Sequence, residues 1–166
     1  MNLLLAATVV FIPMIAEGWL SRRHEQQLRA MGAREPHDDV YWAMRVVYPA
    51  AFVLMLGEGW WRGERMDVYV AAGFAVFLGA KLLKYWAIVS LGVRWTFRVL
   101  VPPGSTRVLT GPYRLLRHPN YIGVIGELTG AALMTHAIVA GVVAVIAFGL
   151  LIVLRIRVEE RALGLR

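Results

Sequence analysis

The sequence of 166 residues is 58% hydrophobic, with a mean hydropathy of +0.58. A soluble domain of this length cannot bury so much apolar surface, so the composition indicates an integral membrane protein. The net charge of +7 lies in short basic segments between apolar runs, where it faces lipid headgroups. We therefore predict membrane lipids, and not nucleic acid, as its partner. The absence of cysteine excludes disulfides, thiolate metal sites and a cysteine nucleophile.

Five apolar runs approach the roughly 20 residues that cross a bilayer. In chain order they cover residues 3–20, 41–60, 67–91, 119–135 and 137–154. The first has no basic leader and no cleavage pattern, so we interpret it as a retained span. The last two are separated only around His136 and are expected to form a tight hairpin, in which either helix can stop short of a full crossing. The fold class is thus an all-α membrane domain over 1–166, with a cytoplasmic C-terminal helix at 155–166.

The basic residues between the spans predict the orientation. Segments 21–40, 92–118 and 155–166 hold four, five and four Arg or Lys, whereas segment 61–66 holds two and the turn at His136 holds none. Because loops rich in Arg and Lys stay in the cytoplasm, we expect the N-terminus outside and the C-terminus inside. A bacterial inner membrane is the expected location.

The run from Gly111 to Tyr121 places polar and aromatic residues where the fourth span begins. Pro119 suits the first turn of a helix, and His118 directly before it lies near the electropositive helix end. Tyr121, three residues after His118, projects from the same face. This arrangement predicts a site for an anionic or polar ligand at the membrane surface.

Two further segments flank this site in the predicted topology. In 92–118, Trp95 begins an alternation of apolar and basic residues that ends at Pro102 and Pro103, which indicates an extended interfacial stretch and favours a wall of the site. At the C-terminus, Arg155 and Glu159 are four residues apart and share a helix face. A pair of opposite charges at this end of the bundle is suited to bind a zwitterion.

Charged residues also fall inside the spans. Lys84 and Glu58 are expected to lie near enough to an interface to reach water. Glu127 and Lys81 either neutralise each other between helices or serve a polar cavity. Glu127 lies six residues beyond Tyr121 and is expected in the cavity wall.

Several familiar kinds of site are missing from the sequence. There is no glycine-rich dinucleotide fingerprint, no phosphate-binding loop and no serine nucleophile motif. The four histidines are far apart in the sequence, so no metal site is predicted. What remains is a membrane cavity with aromatic, cationic and carboxylate groups, suited to holding a soluble charged cofactor against a lipid-like substrate.

The ordered motifs of the second half resemble the isoprenylcysteine carboxyl methyltransferase family. The likeness covers about residues 90–166 and is carried by Leu91-Gly92, Arg94-Trp95-Thr96, Gly111-Pro112-Tyr113, Arg117-His118-Pro119-Asn120-Tyr121, Arg155 and Glu159-Glu160. A shorter likeness, in Arg23, Glu25, Leu28, Gly32-Ala33 and Glu35, points to the small bacterial branch that methylates alkylpyrones and alkylresorcinols. In that branch a type III polyketide synthase is the expected functional partner.

The resemblance implies that S-adenosylmethionine binds at the cytoplasmic end of the bundle. Carried over by motif, its binding residues are Val108, Tyr113, His118, Pro119, Asn120, Tyr121 and Glu159. Arg155 is implied to bind the acceptor carboxylate, with Trp95 beside the substrate. The family's eukaryotic members carry a histidine and an apolar residue in the cofactor segment, where this chain has Ser105 and Arg107.

Methyl transfer from a sulfonium is an in-line displacement that requires alignment in a dry site. Tyr113 and Tyr121 would face the sulfonium, His118 or the amides at Pro119 the cofactor carboxylate, and Glu159 its amino or ribose groups. A carboxylate or hydroxypyrone acceptor is already ionised at neutral pH, whereas a phenol, with a pKa near ~10, needs a base, for which His118 and Glu127 are candidates. The alternatives are a membrane reductase that uses NADPH and a non-catalytic scaffold or lipid-binding subunit.

Overall fold

The computed structural model describes residues 3–63 and 66–164, and these ranges form five α-helices. The helices are α1 (Leu3–Ala30), α2 (Tyr41–Arg62), α3 (Val68–Leu91), α4 (Pro119–Thr135) and α5 (Ile138–Ala162). Short 3-10 turns at Gly92–Arg94 and Gly111–Arg114 lie in the segment that joins α3 to α4. The predicted all-helical class is confirmed.

Three of the described helical segments are long and apolar enough to cross a membrane: Leu3–Ala30, Val68–Arg94 and Ile138–Ala162. Large apolar side chains on their outer faces are exposed, among them Ile15, Val89 and Val142. Because lipid tails solvate such faces, the chain is a membrane protein. Helix α4, with 17 residues, is shorter than the other four, in line with the expectation that a helix of the hairpin can stop short.

Two helices extend beyond the predicted membrane spans for the same physical reason. Helix α1 continues ten residues past residue 20, and α5 runs through Arg155 and Glu159 without a break, so residues 155–162 are helical and continue α5. Charged residues end an apolar run without ending the backbone hydrogen bonding, and the long helices project beyond their apolar parts. The predicted domain begins at residue 1, and the predicted C-terminal helix ends at residue 166. Residues 1–2 and 165–166 lie outside the described ranges.

Helices α3 and α4 pack antiparallel at very close range because glycines face each other. A methyl group added at Gly73 would lie 2.6 Å from the Met134 nitrogen, and one at Gly130 would lie 2.6 Å from the Phe77 nitrogen. Small residues permit this approach between membrane helices, where dispersion and polar contacts replace the hydrophobic effect. Helix α4 also packs against α1, α2 and α5, so it lies at the centre of the bundle.

The predicted hairpin between α4 and α5 is confirmed. His136 adopts a left-handed backbone conformation with φ of 54°, and its amide satisfies carbonyls at the end of α4. Glu58 lies one turn before the end of α2, in line with its expected place near an interface, and it accepts hydrogen bonds from the amides of Val139 and Ala140 at 3.2 and 2.7 Å. These bonds satisfy donors at the start of α5 that would otherwise lack partners.

Candidate functional site

The segment 92–118 folds over one end of the bundle and is held there by α1 and the α1–α2 connection. The Phe97 amide donates to Ser21 Oγ at 2.8 Å, and the Val99 amide donates to an Asp39 carboxylate oxygen at 2.9 Å. Arg34 and Val101 exchange two backbone hydrogen bonds at 3.1 and 3.0 Å. Extended backbone at this depth is satisfied by protein donors and acceptors, so the segment forms a fixed wall.

Arg98 fastens the same segment from its outer side. Its guanidinium donates to Glu35 at 2.5 Å and lies 4.2 Å from the centre of the Tyr41 ring. Desolvation alone would raise the pKa of Glu35, but hydrogen bonds from Arg98 and Arg29 hold that pKa below its ordinary value. The link ties the wall to the loop between α1 and α2.

The start of α4 has the geometry that its sequence predicts. Gly111 has φ of 57° and a methyl group there would lie 2.0 Å from Ser90 Oγ, so only glycine fits the turn into this segment. Pro119 is buried as the first residue of α4, and His118 occupies the N-cap position without capping through its side chain. The His118 ring is therefore left to stack on Tyr121, with ring centres 5.8 Å apart.

We call Asp39, His118, Tyr121, Arg155 and Glu159 the loop-end cluster, because they meet beneath segment 92–118. The Tyr121 hydroxyl donates to Glu159, and His118 lies 3.8 Å from Glu159 and 3.5 Å from Glu160. These contacts join the start of α4 to the end of α5. The two predicted halves of the site, 38 residues apart between Tyr121 and Glu159, are thus in contact.

Arg155 is almost fully buried in this cluster, with 3% of its surface exposed. Its guanidinium donates to the Asp39 carboxylate, to the Phe97 carbonyl at 2.7 Å and to Glu159 at 3.4 Å. Breaking a buried pair of this kind is costly, since it leaves a charge without compensation. Arg155 therefore fixes three elements relative to one another.

A cavity of about 910 Å³ opens beside the loop-end cluster and extends into the bundle. Of the residues predicted for the site, the cavity is lined by Trp95, Val108, Tyr113, His118, Asn120, Tyr121, Arg155 and Glu159. Trp95 donates to Asn120 at 3.1 Å, which orients both side chains at the wall. Burial, with a smaller contribution from the charge of Glu159, raises the pKa of the Tyr113 hydroxyl well above its ordinary value, so Tyr113 stays neutral.

Two of the predicted residues do not line this cavity. Pro119 is buried behind it, where it begins α4, and Glu127 lies in a second polar group deeper in the bundle. We call Glu17, Tyr48, Lys81, Lys84 and Glu127 the interior cluster. Lys81 and Lys84 donate to Glu17 at 2.7 and 2.6 Å, and Lys81 lies 3.1 Å from Glu127. Lys81 and Glu127 are thus an ion pair between helices, one of the two alternatives that the sequence leaves open.

Lys84 corrects another expectation, since only 2% of its surface is exposed. It does not snorkel, because the carboxylates of Glu17 and Glu127 face it from α1 and α4 and provide a partner inside the bundle. Sequence reasoning missed Asp39 and Tyr48 as site residues. Asp39 follows another aspartate in a polar loop, and Tyr48 is one aromatic among many in an apolar run, so neither carries a local signal.

The fold and the cavity define a helical membrane protein with a cavity between its helices and a structured connecting segment. The chain belongs to the isoprenylcysteine carboxyl methyltransferase family, whose model matches residues 71–164. This is a family of membrane methyltransferases that use S-adenosylmethionine.

Two bacterial relatives are similar to the chain over most of its length. The uncharacterized protein YpbQ of Bacillus subtilis (strain 168) is 31% identical, over 96% of this chain and 95% of the relative. An uncharacterized protein of Haemophilus influenzae (strain ATCC 51907 / DSM 11121 / KW20 / Rd) is 25% identical, over 87% of this chain and 85% of the relative. No solved structure matches the chain.

Proposed function

We propose that the chain is an S-adenosylmethionine-dependent O-methyltransferase that acts on a lipophilic acceptor. The main support for this proposal is the loop-end cluster, in which Tyr121, His118 and Glu159 meet at the wall of a cavity. We further propose that this end faces the cytoplasm, where the cofactor is available, as the distribution of basic residues predicts.

The residues present fit this cofactor. It carries two positive charges, a sulfonium and an ammonium group, and the cavity offers the carboxylates of Glu159 and Glu160 with the aromatic faces of Tyr113 and Tyr121. The amides at the start of α4 suit its carboxylate. A volume of about 910 Å³ lies near the top of the ~300–1,000 Å³ range of small-molecule sites, and leaves room for an acceptor beside a nucleoside.

When bound, the cofactor supplies an electrophilic methyl group on a positively charged sulfur. The protein has to hold the acceptor oxygen in line with that methyl group and to exclude water. Tyr121 and Arg155 both donate hydrogen bonds to Glu159 and so orient its carboxylate for cofactor binding. The apolar side chains of Met44, Val124 and Phe148 line the cavity and keep it dry.

The surroundings of Arg155 favour a hydroxyl acceptor over a carboxylate. The guanidinium already donates to Asp39, Phe97 and Glu159, and the adjacent Asp39 charge offsets its own. An ionised acceptor would have to displace one of these partners and would lie near two carboxylates, whereas a hydroxyl would not. Among the predicted acceptors, this favours the alkylresorcinol type, because its phenol, with a pKa of ~10, is neutral at pH 7 whereas a hydroxypyrone is ionised.

A nicotinamide cofactor is the competing occupant, because Arg94, Arg107 and Arg117 also line the cavity and would suit extra phosphates. The carboxylates of Glu159 and Glu160 oppose it by charge repulsion. Thermal unfolding of the purified protein discriminates between the two, since a ligand stabilises the state that binds it. We expect S-adenosylhomocysteine to raise Tm and NADPH to leave it unchanged, and the reverse would favour a reductase.

The activity itself is tested by incubating membranes that contain the protein with tritiated S-adenosylmethionine and a lipid extract. We expect tritium in a lipid product, and mass spectrometry would identify it. Label that survives mild base indicates a methyl ether, whereas label that base releases indicates a methyl ester. Membranes without the protein are the control, and equal labelling there would contradict the proposal.

A further inference from the structure

The floor of the cavity holds two polar side chains in otherwise apolar surroundings. Tyr48 and Lys84 line it together with Met14, Met44, Val124 and Phe148. Phe148 precedes Arg155 by seven residues on α5, so this floor lies about 10 Å, or two helical turns, below the loop-end cluster. A cofactor held by the loop-end cluster leaves this floor for the acceptor.

The hydrogen bonding of Tyr48 determines what it can offer to a ligand. Its hydroxyl donates to Glu127, so its only proton is committed to the protein. The Tyr48 ring packs against Phe52 and Phe148, each with ring centres 5.0 Å apart, and cannot easily turn. The oxygen of Tyr48 can therefore act only as a hydrogen-bond acceptor towards the cavity, and it suits a ligand group that donates.

The carboxylate of Glu127 is not fully satisfied by hydrogen bonds. The residue is 1% exposed, and within the described part of the chain Glu127 Oε1 is a buried oxygen without a hydrogen bond. Lys84 lies 3.3 Å from that oxygen. The other oxygen, Oε2, accepts hydrogen bonds from Tyr48 and, at 3.5 Å, from Lys84, and it lies 3.1 Å from Lys81. Because Oε1 has no hydrogen bond, the carboxylate is not fully satisfied, and it is left able to take up a proton at Oε2, the oxygen to which Tyr48 already donates.

We propose that Tyr48 and Glu127 form a proton relay that accepts the proton of a hydroxyl acceptor at the floor of the cavity. The acceptor hydroxyl gives its proton to the Tyr48 oxygen while Tyr48 passes its own proton to Glu127. The acceptor oxygen then bonds the methyl carbon, and the carbon–sulfur bond breaks with its electron pair on sulfur. Glu127 returns the proton through Tyr48 to water when the product leaves. This inference rests on the proposed function and names its acceptor class.

Lys84 has a positioning role in the relay. Its ammonium group lies 5.5 Å from the centre of the Tyr48 ring and bridges Glu17 and Glu127. A buried cation at this place stabilises negative charge that develops on the acceptor oxygen. Glu17 balances the second lysine, so the cluster holds two carboxylates and two ammonium groups before the proton arrives.

The test is the Tyr48→Phe variant, which removes the relay oxygen and keeps the aromatic packing. The probes are pentadecylresorcinol as a long-chain phenol and acetyl farnesylcysteine as a long-chain carboxylate, each offered in detergent with tritiated S-adenosylmethionine. We expect the wild type to methylate the phenol in preference, and the variant to lose about 100-fold or more of that rate. Affinity for S-adenosylhomocysteine is expected to stay within about twofold, because the loop-end cluster is intact.

The pH profile separates a relay from a merely structural role. In Tyr48→Phe the phenol must ionise in solution, so the rate is expected to rise about tenfold per pH unit below the phenol pKa of ~10. The wild-type rate is expected to change much less over the same range. Glu127→Gln is expected to show the same pH dependence, together with a loss of stability because it leaves two lysines facing one carboxylate. The double variant is expected to be no slower than either single variant, since the two residues act as one unit. Tyr85→Phe, at a half-exposed position that does not line the cavity, is the matched control and should keep the wild-type rate.

The other possible outcomes distinguish failure of the relay from failure of the proposed function. If the wild type methylates the phenol and Tyr48→Phe does so at the same rate, the relay is wrong and the proposed function stands. Preferential methylation of the carboxylate, or binding of S-adenosylhomocysteine with transfer to neither probe, also overturns the relay. Failure of the wild type to bind S-adenosylhomocysteine at all contradicts the proposed function, and the relay with it.

Discussion

The loop-end cluster and the interior cluster are both built from buried charges, but they differ in balance and in access. The interior cluster pairs two lysines with two glutamates, and the charged side chains are all less than 8% exposed. The loop-end cluster holds one buried arginine against two carboxylates, and the side chains of His118 and Glu159 are 25% and 28% exposed. The first arrangement holds helices together, whereas the second leaves groups able to meet a ligand.

The difference shows how one small helical bundle can be rigid and still offer polar groups to a ligand. In a membrane, helices cannot be held by the hydrophobic effect, so polar links and close packing replace it. The interior cluster links α1 to α3 and α4 in this way. The cavity lies between the two clusters, and only at Tyr48 and Lys84 does the interior cluster reach it.

The largest expected effect comes from unbalancing the interior cluster with Glu17→Gln. This substitution leaves two buried lysines facing one carboxylate, and we expect it to cost about 3–5 kcal/mol of stability. Thermal unfolding in detergent, followed by circular dichroism, measures the change. Adding Lys81→Met should recover part of the loss, and a Glu17→Gln protein as stable as the wild type would show that the cluster does not hold the helices.

Next in size is Asp39→Asn in the loop-end cluster. It removes the charge that balances Arg155, and because hydrogen bonds to charged groups contribute about 1.5–3 kcal/mol, we expect a stability loss of that order. Affinity for S-adenosylhomocysteine should also fall, since Arg155 orients Glu159. Asp38→Asn is the neighbouring control, because Asp38 pairs with Arg161 at the exposed surface. Equal effects of the two variants would contradict the role given to Asp39.

Gly130→Ala tests the close packing of α3 and α4 without touching either cluster. The added methyl group would meet backbone atoms of Phe77 and Gly73 at 2.6 and 2.7 Å, and overpacking of this kind costs about 1–3 kcal/mol. Gly149→Ala is the matched control, because nothing lies within 4 Å of the methyl group there and alanine favours a helix. The control should be neutral or stabilising in the same unfolding assay.

The smallest effect is expected at the ion pair of Glu35 with Arg98, which holds the outer side of segment 92–118. Because the folded-state pKa of Glu35 is lowered, its contribution is present above its unfolded pKa of ~4.3 and is lost as the pH falls through the folded value. The pair is partly solvated, so the contribution is at most about 1 kcal/mol. Glu35→Gln should therefore lower Tm slightly at pH 6 and remove part of the decline below about pH 4. An unchanged acid profile would show that Glu35 does not fasten the segment.

The same contrast explains what the sequence could predict. The loop-end cluster lies where Pro119 begins a helix and where Arg155 and Glu159 share a face, and these local rules make its members recognisable. The interior cluster has no such rule, because its members come from four helices and meet only through packing. Lys84 was expected at an interface since nothing local distinguishes a snorkelling lysine from a buried, paired one.

The predicted spans of α1 and α5 stop short of the helix ends because hydropathy marks where a helix leaves lipid and not where its hydrogen bonding stops. Asp39 could not be assigned, since its partner Arg155 is 116 residues away in the sequence. A pair separated so far is fixed by the tertiary structure alone. The hairpin at His136, in contrast, was predicted correctly because its short connection leaves few arrangements.

The most direct test of the account is calorimetric titration of S-adenosylhomocysteine into the detergent-purified wild type and the Glu159→Gln variant. We expect the wild type to bind and the variant to lose about 10-fold or more in affinity, because a charge-assisted contact is worth about 1.5–3 kcal/mol. Asp38→Asn, which changes an exposed carboxylate, should bind as the wild type does. No binding by a folded wild type, or equal binding by Glu159→Gln, would contradict a cofactor site in the loop-end cluster.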